Sequence, residues 1–146
     1  MNPSANRSVP AMTCTRSIAL AAVLCFGSLV ASGASAASKQ DACAALTDSR
    51  VALYSMLTVK EKNALDELGA KVKQSSAKLD AVLAAMSGAD AKAAAEFKPV
   101  WDEFKSTRDR EIIPALYAGK DGEARRLADG IQLDRLSKMW GIMSCR

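Results

Sequence analysis

From Ser38 onward the apolar residues recur at intervals of three and four, and nowhere do apolar and polar residues alternate for long enough to make a strand. The same stretch is rich in Ala, Leu, Lys, Glu and Asp and poor in aromatic and β-branched residues, so almost every position favours helix. The expected fold class is therefore all-α.

The spacing also suggests where the helices run. Leu46, Leu53 and Leu57 share one register, interrupted by Arg50, and Leu65, Leu68, Val72, Leu79, Val82 and Met86 share a second, displaced one. Between them, Thr58-Val-Lys-Glu61 fits a capping box, with Thr58 capping a new helix and Glu61 reaching back to it. This predicts a turn near Thr58. A stutter within one continuous helix would shift the register equally well. Ser87-Gly-Ala-Asp90 is a second break, with Gly ending one helix and Asp starting the next. The following helix carries Phe97, Trp101, Phe104, Ile112 and Leu116. Pro99 is expected to kink that helix or to move its start, and Pro114 threatens its last turn. After Gly119-Lys-Asp-Gly122, the residues Leu127, Ile131, Leu136, Met139, Trp140 and Met143 line a last helix. Short connections make successive helices antiparallel, which gives an up-and-down bundle of four helices, or of three if the first is continuous. A first helix of about 18 residues is short beside its neighbours, which argues for a homodimer or an uneven bundle.

The first quarter of the chain reads differently. Arg7 and Arg16 precede an apolar run over residues 18–31, and Ala34-Ser-Ala36 has the small-x-small form cut by signal peptidase. Residues 1–36 are therefore expected to be a cleaved signal peptide, leaving a helical domain over residues 37–146 in the periplasm. The apolar run is about 14 residues long and contains Gly27 and Ser28, whereas spanning a bilayer takes about 20. No lipobox precedes Cys25. Cys14 and Cys25 leave with the leader, so Cys43 and Cys145 remain, and an oxidising compartment favours a disulfide between them. The helix number and the disulfide are linked: four helices put these cysteines toward one end of the bundle, and three put them at opposite ends.

Charge and composition exclude several functions. All 16 acidic residues lie after the leader and only two of the 20 basic ones lie within it, so the remainder carries +2. The charges are interleaved, as in Lys60-Glu-Lys62 and Arg108-Asp-Arg-Glu111, which marks a solvated helix surface and not a nucleic-acid interface. The chain has no histidine and no Cys-x-x-Cys, so no haem or other cofactor is expected. No pair of carboxylates, nucleophile with base, or phosphate-binding glycine loop indicates an enzyme.

The segment Phe97-Lys-Pro-Val-Trp-Asp-Glu-Phe104, followed by Arg108-Asp-Arg-Glu-Ile-Ile-Pro-Ala-Leu-Tyr-Ala-Gly-Lys120, Glu123-Ala124 and Leu127-Ala-Asp-Gly130, resembles the last helical hairpin of the four-helix-bundle sensor domain of methyl-accepting chemotaxis receptors. The resemblance covers residues 50–143. Receptors of that family continue into a second transmembrane helix, a HAMP module and a signalling coiled coil, and this sequence stops at Arg146. The resemblance thus implies a free-standing sensor-type bundle that binds a small ligand or a membrane receptor. It carries over no individual ligand residue.

Three constellations are candidates for chemistry. Arg50, Arg108 and Arg135 interrupt apolar faces, where a charge is costly unless paired and where a guanidinium is a good receiver of a carboxylate. They could bind a small anion with Trp101 or Trp140 as an apolar wall, or they could form internal ion pairs with acids such as Glu67 or Asp134, or snorkel to water. Met139, Met143 and Cys145 offer soft sulfur to Cu(I), although methionine is also an ordinary core filler and Cys145 has Cys43 as a partner. Leu57-Thr-Val-Lys-Glu61 is similar to the Leu-Thr-x-x-Gln element of small periplasmic helical chaperones, with Glu replacing Gln, and a helix cap explains it equally. A structural or chaperone-like protein and a copper-handling protein therefore stand as alternatives to the binding module.

Overall fold

The computed structural model describes residues 37–145. The expected signal peptide and Arg146 lie outside the described residues. Helix α1, Lys39–Met56, starts at a capping box that the sequence pattern had not suggested: the Asp41 amide donates to Ser38 Oγ and the Ser38 amide to the Asp41 carboxylate. The chain does turn after α1, and α2 runs over Lys62–Ala85. The turn is not made by the expected Thr58–Glu61 box. Thr58 Oγ1 donates back to the Ser55 carbonyl at the end of α1, and Glu61 is itself the N-cap of α2, with no side-chain cap bond.

Gly88 takes a positive φ of 58°, and a short 3₁₀ turn over Gly88–Asp90 leads into α3, Ala91–Thr107. Pro99 does not move the start of α3. It faces solvent, and the carbonyl it leaves without an amide belongs to Ala95, which is also exposed. Beyond Thr107 the helix widens into a π-turn over Arg108–Ile112, in which the Ile113 amide reaches five residues back to the Arg108 carbonyl. The rod then resumes as α4, Ile113–Tyr117. Pro114 thus does not fray the rod. The wider turn places it in the first turn of α4, where an amide is not required.

Gly119, at φ 70°, ends α4. The last rod is α5, Asp121–Asp129, followed by α6, Ile131–Met143. One unbroken apolar stripe was expected here, but Gly130 (φ −97°, ψ −110°) breaks it. A Cβ at Gly130 would lie 2.9 Å from the Arg126 carbonyl. The break rotates α6 so that Ile131 faces solvent and Gln132 enters the core.

The elements form four antiparallel rods: α1, α2, α3 with α4, and α5 with α6. In the ring, α1 packs on α2 and α6, and α3 packs on α2 and α6. At one end Ala37 bridges to Met86 and Cys43 is disulfide-bonded to Cys145, so the two cysteines share an end as a four-helix arrangement requires. At the other end Lys60 pairs with Asp121, and the Tyr117 hydroxyl donates to Asp66. The bundle is uneven, since α1 has 18 residues and α2 has 24. Its core sets Phe97, Trp101 and Phe104 of α3 against smaller residues such as Ala45, Ser49, Ser75 and Ser76 of α1 and α2. Among the described residues no helix is long and apolar enough to cross a membrane.

Candidate functional site

The candidate residues fall into three separate places. Arg108 sits in the π-turn with only 2% of its surface exposed, and each nitrogen of its guanidinium donates a hydrogen bond. Its Nε and Nη2 donate to the two oxygens of Asp109 at 2.7 and 3.1 Å, and Nη1 donates to Ser76 Oγ at 2.8 Å. Ser76 in turn donates to the Val72 carbonyl, and the Trp101 ring lies 5.7 Å from the guanidinium carbon. The sequence expectation looked for a more distant acid, but the partner is the adjacent residue. The Trp101 indole N–H is also taken, by Asp80 at 2.7 Å, and Lys105 closes on the same carboxylate. Arg108 and Trp101 therefore tie α2 to α3 and the π-turn, and Arg108 is too deeply buried to meet a ligand.

Arg135 belongs to a second network, between α3 and α6. Its Nη1 donates to Thr107 Oγ1 at 2.8 Å and to Gln132 Oε1 at 3.1 Å, and Nε lies 3.4 Å from a Glu103 oxygen. That last contact is an ion pair without hydrogen-bond geometry. Gln132, fully buried, completes the network by donating to the Phe104 carbonyl at 2.9 Å. No pattern of apolar spacing pointed to Gln132, because only the slip at Gly130 brings it inward.

Arg50 is arranged differently. Its guanidinium carbon lies 5.3 Å from the centre of the Tyr54 ring, one turn along α1, and 5.1 Å from that of Trp140 on α6. Among the described residues no carboxylate comes within ion-pair distance of it, and its N–H groups make no hydrogen bond; the nearby Asp48 is paired with Lys78. The guanidinium borders an open groove of about 620 Å³ whose walls include Gln40, Thr47, Trp140 and the Cys43–Cys145 disulfide. Tyr54 is held by its hydroxyl, which donates to the Ala128 carbonyl at 3.1 Å. Burial, reinforced by the negative charge of Asp129, raises the Tyr54 pKa above its ordinary value, so the ring stays neutral beside Arg50. Sequence reading named Arg50 and Trp140 but missed Tyr54; its position four residues after Arg50 was the available signal.

Other features offer less. A groove of about 450 Å³ between α2 and α3 is lined by Ala84, Ala91, Ala94 and Ala95, and its cations Lys98 and Lys105 are already paired with Asp102 and Asp80. Met139 and Met143 are buried in the core and the Cys145 sulfur is bonded to Cys43, so these residues do not present three free sulfur ligands. No family model, characterised protein or solved structure matches the chain.

Proposed function

We propose that the protein is a periplasmic, sensor-type binding module that takes a small anionic ligand at Arg50. The observation that carries this reading is a half-buried guanidinium oriented by two aromatic rings, with its hydrogen-bond donors unspent and a groove beside it. Ring stacking engages the faces of a guanidinium and leaves its fork of N–H groups for a carboxylate, which it matches bidentately. The groove volume of about 620 Å³ falls within the range of small-molecule sites. The sequence resemblance to chemotaxis-receptor sensor domains favours the same class of function. A chaperone-like role calls for contiguous apolar surface, whereas the large exposed apolar side chains Val51, Tyr117, Ile131 and Leu133 are scattered over α1, α4 and α6.

The test is a thermal-shift screen of the protein against organic acids, amino acids, Cu(I) and haem, since a ligand specific to the folded state raises the melting temperature. A saturable shift with carboxylates that disappears in Arg50→Gln supports the reading. A shift that persists in Arg50→Gln moves the site elsewhere. No shift with any compound removes the small-ligand reading in favour of a protein partner.

A further inference from the structure

The Cys43–Cys145 disulfide forms part of the wall of the Arg50 groove and also lines a smaller neighbouring groove with Lys39, Gln40 and Ser144. Both cysteines are half-buried and line open grooves, which bring solvent to this end of the bundle. Cys43 stands two turns before Arg50 on the same face of α1, and Cys145 follows Trp140 by little more than a turn. The covalent bond therefore joins the segment that carries the guanidinium to the segment that carries its second ring.

Apart from that bond, the two segments are secured in different ways. The first turn of α1 has its own lock in the Ser38–Asp41 capping box. The last turn of α6 contains Gly141 and closes at Ser144, a non-glycine residue in the left-handed region at φ 57°, with the Cys145 amide donating back to the Trp140 carbonyl at 3.0 Å. Among the described residues no side chain from another helix hydrogen-bonds to residues 140–145. The burial of Met143, the packing of Trp140 and Ile142 on the core and the Arg50–Trp140 contact hold this turn by non-covalent forces alone, and the disulfide is its one covalent tie to α1.

We infer that the redox state of Cys43–Cys145 determines whether Trp140 stays over Arg50, and so controls the affinity of the groove for anions. The affinity clause rests on the binding function proposed above; the conformational clause does not. The chemistry is exchange with a small dithiol. Its thiolate attacks one sulfur of the disulfide, and the other cysteine leaves as a thiolate and takes a proton. The second thiol of the reagent then closes on the first, forming the reagent disulfide and expelling the remaining cysteine. Two electrons pass to the protein, which gains two thiols and loses its cross-link. The end of α6 is then free to fray, and Arg50 loses the ring that orients it.

Acrylamide quenching of tryptophan emission reads this directly, because Trp101 is fully buried and the half-buried Trp140 is the reporter. The oxidised protein, the dithiol-reduced protein and the Cys43→Ser/Cys145→Ser variant are compared, with thiol titration to establish complete reduction and circular dichroism to establish retained helix. The expected result is at least a twofold rise in the quenching constant on reduction and at least a fivefold loss of affinity for benzoate, both reversed by reoxidation and reproduced by the variant. Unchanged quenching in the fully reduced, folded protein overturns the inference. If the oxidised protein does not bind benzoate, the benzoate-binding reading fails, and quenching still decides whether the disulfide governs the Trp140–Arg50 pair. If reduction unfolds the bundle, Trp140→Leu in the oxidised protein replaces it, and benzoate affinity unchanged by that substitution overturns the role given to Trp140.

Discussion

Arg108 over Trp101 and Arg50 over Trp140 are the same pairing in two regions of one bundle, and they differ in what surrounds the cation. At the π-turn the guanidinium is buried and met by Asp109 beside it and by Ser76 of α2, so it is neutralised within its own turn and tied to the neighbouring helix. At the disulfide end the guanidinium has rings and no ion pair, since Asp48 of the same groove is taken by Lys78. A desolvated arginine with a full set of partners is structural; one that is oriented but lacks its anion is prepared for something outside the chain. The regions also differ in what secures them, since the π-turn relies on packing and hydrogen bonds whereas the Arg50 region includes a covalent tie.

The largest expected effect tests that tie. Replacing both cysteines by serine opens a link across a sequence separation of 102 residues, and the chain-entropy account puts the loss at about 4.7 kcal/mol in urea denaturation. Arg108→Ala comes next, at roughly 2–3 kcal/mol, because it leaves a cavity near Trp101 and removes the hydrogen bond to Ser76 that ties the π-turn to α2. A cost for Arg108→Ala no greater than that for Arg50→Gln would break the comparison. Tyr54→Phe removes the bond to Ala128, worth about 1 kcal/mol. The raised pKa of Tyr54 gives this residue a pH signature: its contribution is complete below the ordinary tyrosine value of 10.0 and is lost as pH rises through the higher folded value. Melting curves taken up to strongly alkaline pH should therefore fall less steeply for Tyr54→Phe than for the native sequence. The smallest effect on stability, about 0.5 kcal/mol, is expected for Arg50→Gln, whose cation–ring contacts are partly exposed. That variant sharpens the comparison if ligand binding disappears while the melting temperature barely moves.

Much of the fold was legible because helices announce themselves in the spacing of apolar residues. The displaced registers on either side of Thr58 indicated a turn, and the turn put Cys43 and Cys145 at one end. What was not legible depends on backbone events of one residue. The π-turn was visible only as the awkward Pro114, and the Arg108–Asp109 pair depends on it: neighbouring residues do not face each other on a regular α-helix, and a wider turn brings their side chains closer. The slip at Gly130 exchanged Ile131 for Gln132 in the core, and periodicity cannot report a rotation made by a single glycine. For the candidate site, the sequence offered Arg50 and Trp140 among five residues but pointed first to Arg108, which the structure buries and partners internally. Their contact joins the first and last helices, and only tertiary structure brings those together.

The disulfide also alters what a cut in the chain can do. Because Cys43 is bonded to Cys145, any single break between them leaves two pieces that remain one covalent molecule. The exposed Gly119–Lys120 connection, between α4 and α5, is a natural place for a protease that cleaves after lysine. A molecule nicked there would keep all four rods in register and migrate intact under non-reducing conditions, separating into two fragments only when a thiol is added. In a compartment rich in proteases, such a bundle tolerates a wound that would dismantle an untied one.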